Sequence, residues 1–305
     1  MTETLAAGRR DTTMGMTPPR RPALSPSRAA DFKQCPLLYR FRVVDRLPEM
    51  PSRLQVRGTV VHAALERLFA LPPVRRNLDT GRELVDSAWR DVLAGSPELA
   101  VLFADDEDPE QAEWLGSARD LIDAYFVLED PRLVKPEACE LLVEAELAGS
   151  GTGGHEPLLL RGYIDRLDVA PSGEIRVVDY KSGAAPRELF EAKALFQMKF
   201  YALALLRIRG VVPRQLRLLY LADRQVLSYA PDEAELIRFE RTLVAIWSAI
   251  QRAARTGDFR PSPSRMCDWC DHKPSCPAFG GNPPPYPGWP DLSGAGAESA
   301  RDRAE

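Results

Sequence analysis

GYIDRLDVAPSGEIRVVDYK, Gly162 to Lys181, reads as two apolar runs joined by Pro171-Ser172-Gly173, a turn signal. Two strands on either side of that turn bring Asp165, at the end of the first run, toward Asp179 and Lys181, at the end of the second. Side chains alternate along a strand, so Asp179 and Lys181 share one face and Tyr180 takes the other. Two carboxylates and an ammonium gathered there are costly to desolvate unless something binds between them. A hard divalent cation that prefers oxygen ligands, together with a phosphate, matches that need.

The sequence around this hairpin sets the fold class. Leu142 to Leu147 alternates, which places Glu144 and Glu146 on one face of a preceding strand. The GSGTGG run of residues 149–154 suits the loop to Leu158, where the next strand begins. Three consecutive strands with short connections make an antiparallel meander. Residues 188–209 return to helical spacing and carry Gln197 and Tyr201 four apart on one face. Leu216 to Leu221 and Gln225 to Tyr229 read as two more strands, and Asp232 to Thr256 as a long helix.

Upstream, Ser25 and Pro26 open a helix. From Gly58, the run Val61, Ala64, Leu65, Leu68 and Phe69 recurs at helical spacing with His62 on its edge, and helical patterns continue to residue 130. The expected architecture is α/β: a central mixed β-sheet flanked by helices, with a helical insertion. Residues 1–22 and 281–305 lack periodicity and are expected to be disordered tails of a single domain spanning 23–280. Within it, 58–130 forms a helical block, 140–230 the sheet core and 260–280 a cysteine-rich region.

Composition places the 305-residue chain among soluble globular proteins, with 45% hydrophobic and 28% charged residues. No apolar run approaches the roughly 20 residues that span a bilayer, and no secretory leader is recognisable, so a cytoplasmic location without membrane contact is expected. The formal net charge is −4. Basic residues nevertheless crowd the segment from Arg28 to Arg46, which offers a local phosphate-binding surface.

The five cysteines are Cys35, Cys139, Cys267, Cys270 and Cys276. Cys267-x2-Cys270-x5-Cys276 is a three-ligand spacing, and Cys35 is the natural fourth ligand. Zinc and an iron–sulfur cluster are both compatible with that spacing. Cys139 has no ligand-spaced neighbour and is expected to pack as a small apolar side chain.

Gly162, Asp165, Arg166, Asp168, Asp179, Tyr180, Lys181 and Gly183 together resemble the core of the PD-(D/E)XK nuclease superfamily. More narrowly, the chain resembles RecB/AddB-type exonucleases and the CRISPR-associated iron–sulfur exonucleases. His62 matches an upstream helical histidine in that family, and Gln197-x3-Tyr201 matches the helix that follows its catalytic strands. The resemblance implies a restriction-endonuclease-like core and Mg²⁺- or Mn²⁺-dependent hydrolysis of DNA. It places Asp165, Asp179, His62 and the Tyr180 carbonyl on the metal, with Glu144 or Glu146 nearby. Lys181 then orients the attacking water, while Gln197 and Tyr201 position Lys181 or the DNA strand.

It further implies a [4Fe–4S] cluster on Cys35, Cys267, Cys270 and Cys276, joining the C-terminal cysteines to the N-terminal one, in preference to zinc. The implied partners are DNA, as single strands or duplex ends, and a helicase, in DNA repair or recombination. Phe32, Tyr39 and Phe41 are available to stack on bases. A non-catalytic DNA-binding or scaffold module with the same fold is the alternative reading.

Overall fold

A computed structural model describes residues 22–103, 108–147, 158–185 and 191–289, the side chains of 191–193 excepted. All but residue 22 of the expected N-terminal tail, and the loop at 149–154, lie outside the described residues. Six strands form one mixed sheet: β1 (Ala23–Leu24), β2 (Pro136–Leu147), β3 (Leu158–Val169), β4 (Ile175–Lys181), β5 (Gln215–Tyr220) and β6 (Gln225–Tyr229). β2 and β4 each run antiparallel to β3, as the meander reading requires. β1 joins β3 in parallel, β4 and β5 pair in parallel, and β6 closes the far edge antiparallel to β5. Gly173, at φ 86°, makes the β3–β4 turn in a backbone region that glycine enters freely.

Helices cover both faces. On one side lie α1 (Pro26–Gln34), α2 (Pro36–Tyr39), α6 (Glu191–Arg209) and α7 (Glu233–Thr256), packed on Leu160, Ile164, Val177 and Leu218. On the other lie α3 (Arg53–Ala70), α4 (Leu78–Gly95) and α5 (Pro109–Leu128), packed on Val178, Tyr180 and Leu219. Local signals account for several boundaries. The Ser25 hydroxyl accepts from Arg28 N–H at the start of α1, and Asp232 accepts from Glu235 N–H at the start of α7. α3 begins five residues before Gly58. That glycine sits inside the helix because a Cβ there would come within 3.1 Å of Ser182 Oγ, just past the end of β4. Close approach of α3 to the strand ends is what brings His62 to the sheet.

Strict alternation fails at one place. The β2–β3 register shifts between Pro136 and Ala138 and is constant from there to Leu147, with Cys139 paired to Arg166 and Leu141 to Ile164. Leu141 and Ile164 nevertheless pack on the α6 side, whereas Cys139 and the Arg166 guanidinium, over the Phe69 ring, lie on the α3 side. Both strands change face at Glu140 and Asp165. Glu140 makes the change at φ 46°, a left-handed conformation that is strained for glutamate.

The expected cysteine metal site is corrected. The four cysteines line one cavity of about 40 Å³ between α1–α2 and the C-terminal turns. All are free thiols, and among the described residues no three of their sulfurs lie within 4.8 Å of one another. Four thiolates about 2.3 Å from one ion would sit closer than that, so the zinc alternative fails on this spacing. Among the described residues no three cysteines group as metal ligands, which leaves the iron–sulfur cluster without support.

Direct contacts join the N-terminal helices to the C-terminal turns. Ser262 N–H donates to Cys35 Sγ at 3.4 Å, Arg40 donates to the Pro284 carbonyl, and His272 Nε2 bonds Glu49 Oε1 at 2.8 Å. Tyr39 stacks on Phe259, and Tyr286 packs against Phe259 in turn. The packed chain thus continues past residue 280, with Trp289 set edge-on against Trp247.

Candidate active site

The site gathers where α3, β3, β4 and α6 meet. Tyr180 is its backbone hub. Its N–H donates to Asp165 Oδ2 at 2.7 Å, and its carbonyl accepts from His62 Nε2–H at 2.9 Å. The other imidazole nitrogen, Nδ1, stands 3.5 Å from Asp165 Oδ2. On the α6 side, Lys181 Nζ lies 2.9 Å from Asp179 Oδ2 and donates to Gln197 Oε1 at 2.7 Å. Gln197 Nε2 in turn donates to the Tyr201 hydroxyl at 3.3 Å. The residues quoted from the opening hairpin, from α3 and from α6 therefore occupy one locality.

Glu144 is elsewhere. It is exposed and faces Arg161 at 3.3 Å, on the opposite strand. The carboxylate that does come to His62 and Asp165 belongs to Glu140. One ligand atom from each of these three residues lies within 4.8 Å of the others, and no second such group occurs among the described residues. Sequence reasoning missed Glu140 because it precedes the alternating stretch and reaches the site only through its left-handed backbone.

The basic segment also differs from expectation. Tyr39 and Phe41 are 1% and 2% exposed and fill the core beneath α6 and α7, so they offer no stacking face. Phe32 packs edge-on against Tyr39. Arg40 is buried beside Asp45, and Arg42 bridges Asp31 and Glu49.

Electrostatics define what the site is suited to hold. Burial pushes the Asp179 carboxyl up and Lys181 pulls it down, but the neighbouring Asp165 charge adds to the rise and leaves it at about 7. For His62, burial works against the imidazolium, yet Asp165 foremost, with Glu140 and Asp179, lifts it to about 9. Both shifts express the same surplus of negative charge in a place closed to water. His62 Nδ1 and Asp179 Oδ1 are buried with no hydrogen-bond partner among the described residues. Unpartnered buried polar atoms beside clustered carboxylates fit a hard divalent cation, whose preferred ligands are oxygens, with imidazole nitrogen, once deprotonated, acceptable.

Behind the site is a second ionic layer. Arg166, wholly buried, forks onto Glu129 at 2.6 and 3.1 Å and reaches the Tyr180 hydroxyl at 2.9 Å. Arg166 Nε lies 3.0 Å from Asp168, which Arg176 also holds. Arg217 adds a contact to Glu129 at 3.2 Å. Burial would raise the Glu129 carboxyl, but the Arg166 guanidinium outweighs it and keeps the group below its usual range.

The family model of the PD-(D/E)XK nuclease superfamily matches residues 23–277. The chain belongs to this superfamily. Among curated relatives, it is 27% identical to the gene 69 protein of Mycobacterium phage D29 over 87% of this chain and all of the relative. It is 24% identical to the gene 69 protein of Mycobacterium phage L5, over 85% of this chain and 97% of that protein. A crystal structure of a protein assigned as an exonuclease from Eubacterium rectale superposes with a TM-score of 0.52 at 13% identity, covering 82% of this chain and 87% of that one. At that identity the likeness speaks for the fold. The superfamily assignment and the His62–Glu140–Asp165 group together mark a nuclease-superfamily enzyme with a candidate metal-binding triad. No described helix is long and apolar enough to cross a membrane.

Proposed function

We propose that the protein is a Mg²⁺- or Mn²⁺-dependent deoxyribonuclease, similar to RecB/AddB-type exonucleases, that hydrolyses DNA phosphodiesters at single strands or duplex ends. The observation that carries this reading is the convergence of Asp165, Asp179, Lys181 and His62 where β3 and β4 part, His62 Nδ1 and Asp179 Oδ1 there being buried and unpartnered among the described residues. A binding module has no use for that combination. A role in DNA repair or recombination, with a helicase as partner, extends the same proposal.

In this reading Asp165, Asp179, His62 and the Tyr180 carbonyl hold the cation, and Glu140 takes the place expected of Glu144 or Glu146. A cation held by these residues would polarise a phosphoryl oxygen and lower the pKa of a water. Lys181 donates a hydrogen bond to the attacking water and offsets the charge that grows on the phosphoryl oxygens. Gln197 keeps the Lys181 ammonium pointed into the site, and Tyr201 holds Gln197. Water oxygen bonds to phosphorus as the P–O bond to the leaving sugar oxygen breaks, and a proton ends on that oxygen.

Cleavage of end-labelled single- and double-stranded DNA with Mn²⁺, run beside an EDTA control and the Lys181→Ala variant, tests the assignment. Cleavage that needs both the metal and Lys181 is expected. Activity that survives Lys181→Ala and Asp179→Ala sinks the site assignment, while DNA binding without cleavage by the wild type favours the scaffold alternative.

A further inference from the structure

The ionic layer behind the sheet poses a question of its own. Replacing a buried ion network with apolar side chains is often neutral or stabilising, so a network of this kind is weak evidence for stability. Arg166, Arg176 and Arg217 meet Glu129 and Asp168 under the sheet, with Tyr125 donating to Glu129 at 3.0 Å. The network's link to the site runs through a residue of β4. That residue is Tyr180, whose hydroxyl accepts from Arg166 Nη1 at 2.9 Å.

Tyr180 connects the layers. Its N–H holds Asp165 and its carbonyl holds His62. Its ring meets the His62 ring edge-on at 5.9 Å and the Tyr125 ring at 5.8 Å. The Arg166 guanidinium also lies 4.9 Å from the Phe69 ring, on the same helix as His62. A displacement of the Tyr180 side chain would therefore move the hydrogen bonds that orient two of the proposed ligands together.

We infer that Arg166, held by Glu129 and Asp168, is a positioning residue: it fixes Tyr180, and through the Tyr180 main chain it sets the geometry of Asp165 and His62 for the divalent cation. The inference rests on the nuclease reading above. Groups that orient metal ligands from behind typically change metal affinity about 10- to 100-fold when removed. Only a planar fork reaches Glu129, Asp168 and Tyr180 at once, so lysine cannot replace arginine here.

The test is Mn²⁺ titration of the full chain, by calorimetry and by the Mn²⁺ spin-resonance signal, at a temperature where each variant is folded by circular dichroism. Wild type, Arg166→Lys, Tyr180→Phe and Asp165→Ala are compared. Arg166→Lys and Tyr180→Phe are expected to weaken Mn²⁺ binding about tenfold, with kcat lowered and KM for DNA unchanged. Tyr180→Phe removes one hydroxyl and keeps the ring packed, so it reports even if Arg166→Lys does not fold. Wild-type Mn²⁺ affinity in Tyr180→Phe, or in folded Arg166→Lys, overturns the positioning role and leaves the nuclease reading standing. Wild-type protein that shows no Asp165-dependent Mn²⁺ binding overturns both.

Discussion

Gly162→Ala is a small substitution with a calculable effect. Gly162 lies on β3 where α6 crosses it, and a Cβ there would stand 2.9 Å from Tyr201 Cε1, 3.6 Å from Pro26 Cδ and 3.7 Å from Phe200 Cε1. Carbon pairs rest at about 3.5–4.0 Å, so Tyr201 has to withdraw by roughly 0.6 Å. It has little room, being 5% exposed and set edge-on against Phe200. Overpacking of this kind costs about 1–3 kcal/mol, while removing glycine from the unfolded chain returns about 0.4–1 kcal/mol. Overpacking wins, leaving a net loss of about 1–2 kcal/mol and a Tm lower by roughly 2–8 °C for a domain of this size. Withdrawal of Tyr201 also loosens Gln197 and then Lys181, so DNA cleavage should fall by about tenfold or more. Thermal melts and Mn²⁺-dependent cleavage are measured for Gly162→Ala, Tyr201→Ala and the double variant. In the Tyr201→Ala background the 2.9 Å clash is gone and Pro26 and Phe200 stand at ordinary contact distance, so Gly162→Ala should cost little there. An equal Tm loss in both backgrounds, or none in the wild type, refutes the steric argument.

The remaining predictions draw on other parts of the molecule. Glu140→Gly and Glu140→Ala both remove the carboxylate and should both weaken Mn²⁺ binding, but only glycine relieves the left-handed backbone. Glu140→Gly should therefore be about 1–2 kcal/mol more stable than Glu140→Ala by denaturant unfolding, and equal stability would contradict the strain. The Glu129 carboxylate, held below its usual range, contributes stability that is present above its unfolded pKa of about 4.3 and lost as pH falls through the folded value. Glu129→Gln should cost about 3 kcal/mol at neutral pH. Its Tm should then change less than the wild-type Tm between neutral and acid pH, and parallel pH curves would discount the pairing. At Gly281 a Cβ would lie 2.2 Å from the Pro274 carbonyl oxygen and 2.6 Å from Cys276 N, backbone atoms that cannot swing aside. Gly281→Ala should open that turn and expose the C-terminal segment to limited proteolysis, and unchanged digestion would count against the contact.

Much of the fold was readable because its pieces carry independent local signals. Pro171-Ser172-Gly173 marks the β3–β4 turn, alternation marks the second half of β2, and capping by Ser25 and Asp232 marks two helix starts. The site was legible where residues lie close in sequence, as Asp179 and Lys181 do, or four apart on a helix, as Gln197 and Tyr201 do. It was not legible where the chain departs from period two. Glu144 stood out because its neighbours alternate, yet that regularity keeps it on the exposed face beside Arg161. The cysteines failed for a different reason. Ligand spacing brings Cys35 and the three C-terminal cysteines to one cavity, but it does not dictate how far apart their sulfurs stand.

The change of face at Glu140 and Asp165 explains how this site can draw on both helical layers. In a regular hairpin Asp165, one step beyond the Arg166–Val178 pair, would share the α6 side with Asp179 and have no access to α3. Here the strand crosses over at Asp165, so His62 from α3 approaches its carboxylate while Lys181 and Gln197 approach Asp179 from the α6 side. The crossing requires a partner strand that crosses with it, and Glu140 is the residue of β2 that bears the cost. A left-handed glutamate at that position is costly unless its carboxylate is needed, and it ends beside His62 and Asp165. Strain on β2 and the gathering of His62, Glu140 and Asp165 are then two consequences of one local break in the pleat. Restoring regular alternation at Glu140 would stabilise the sheet and dismantle the site.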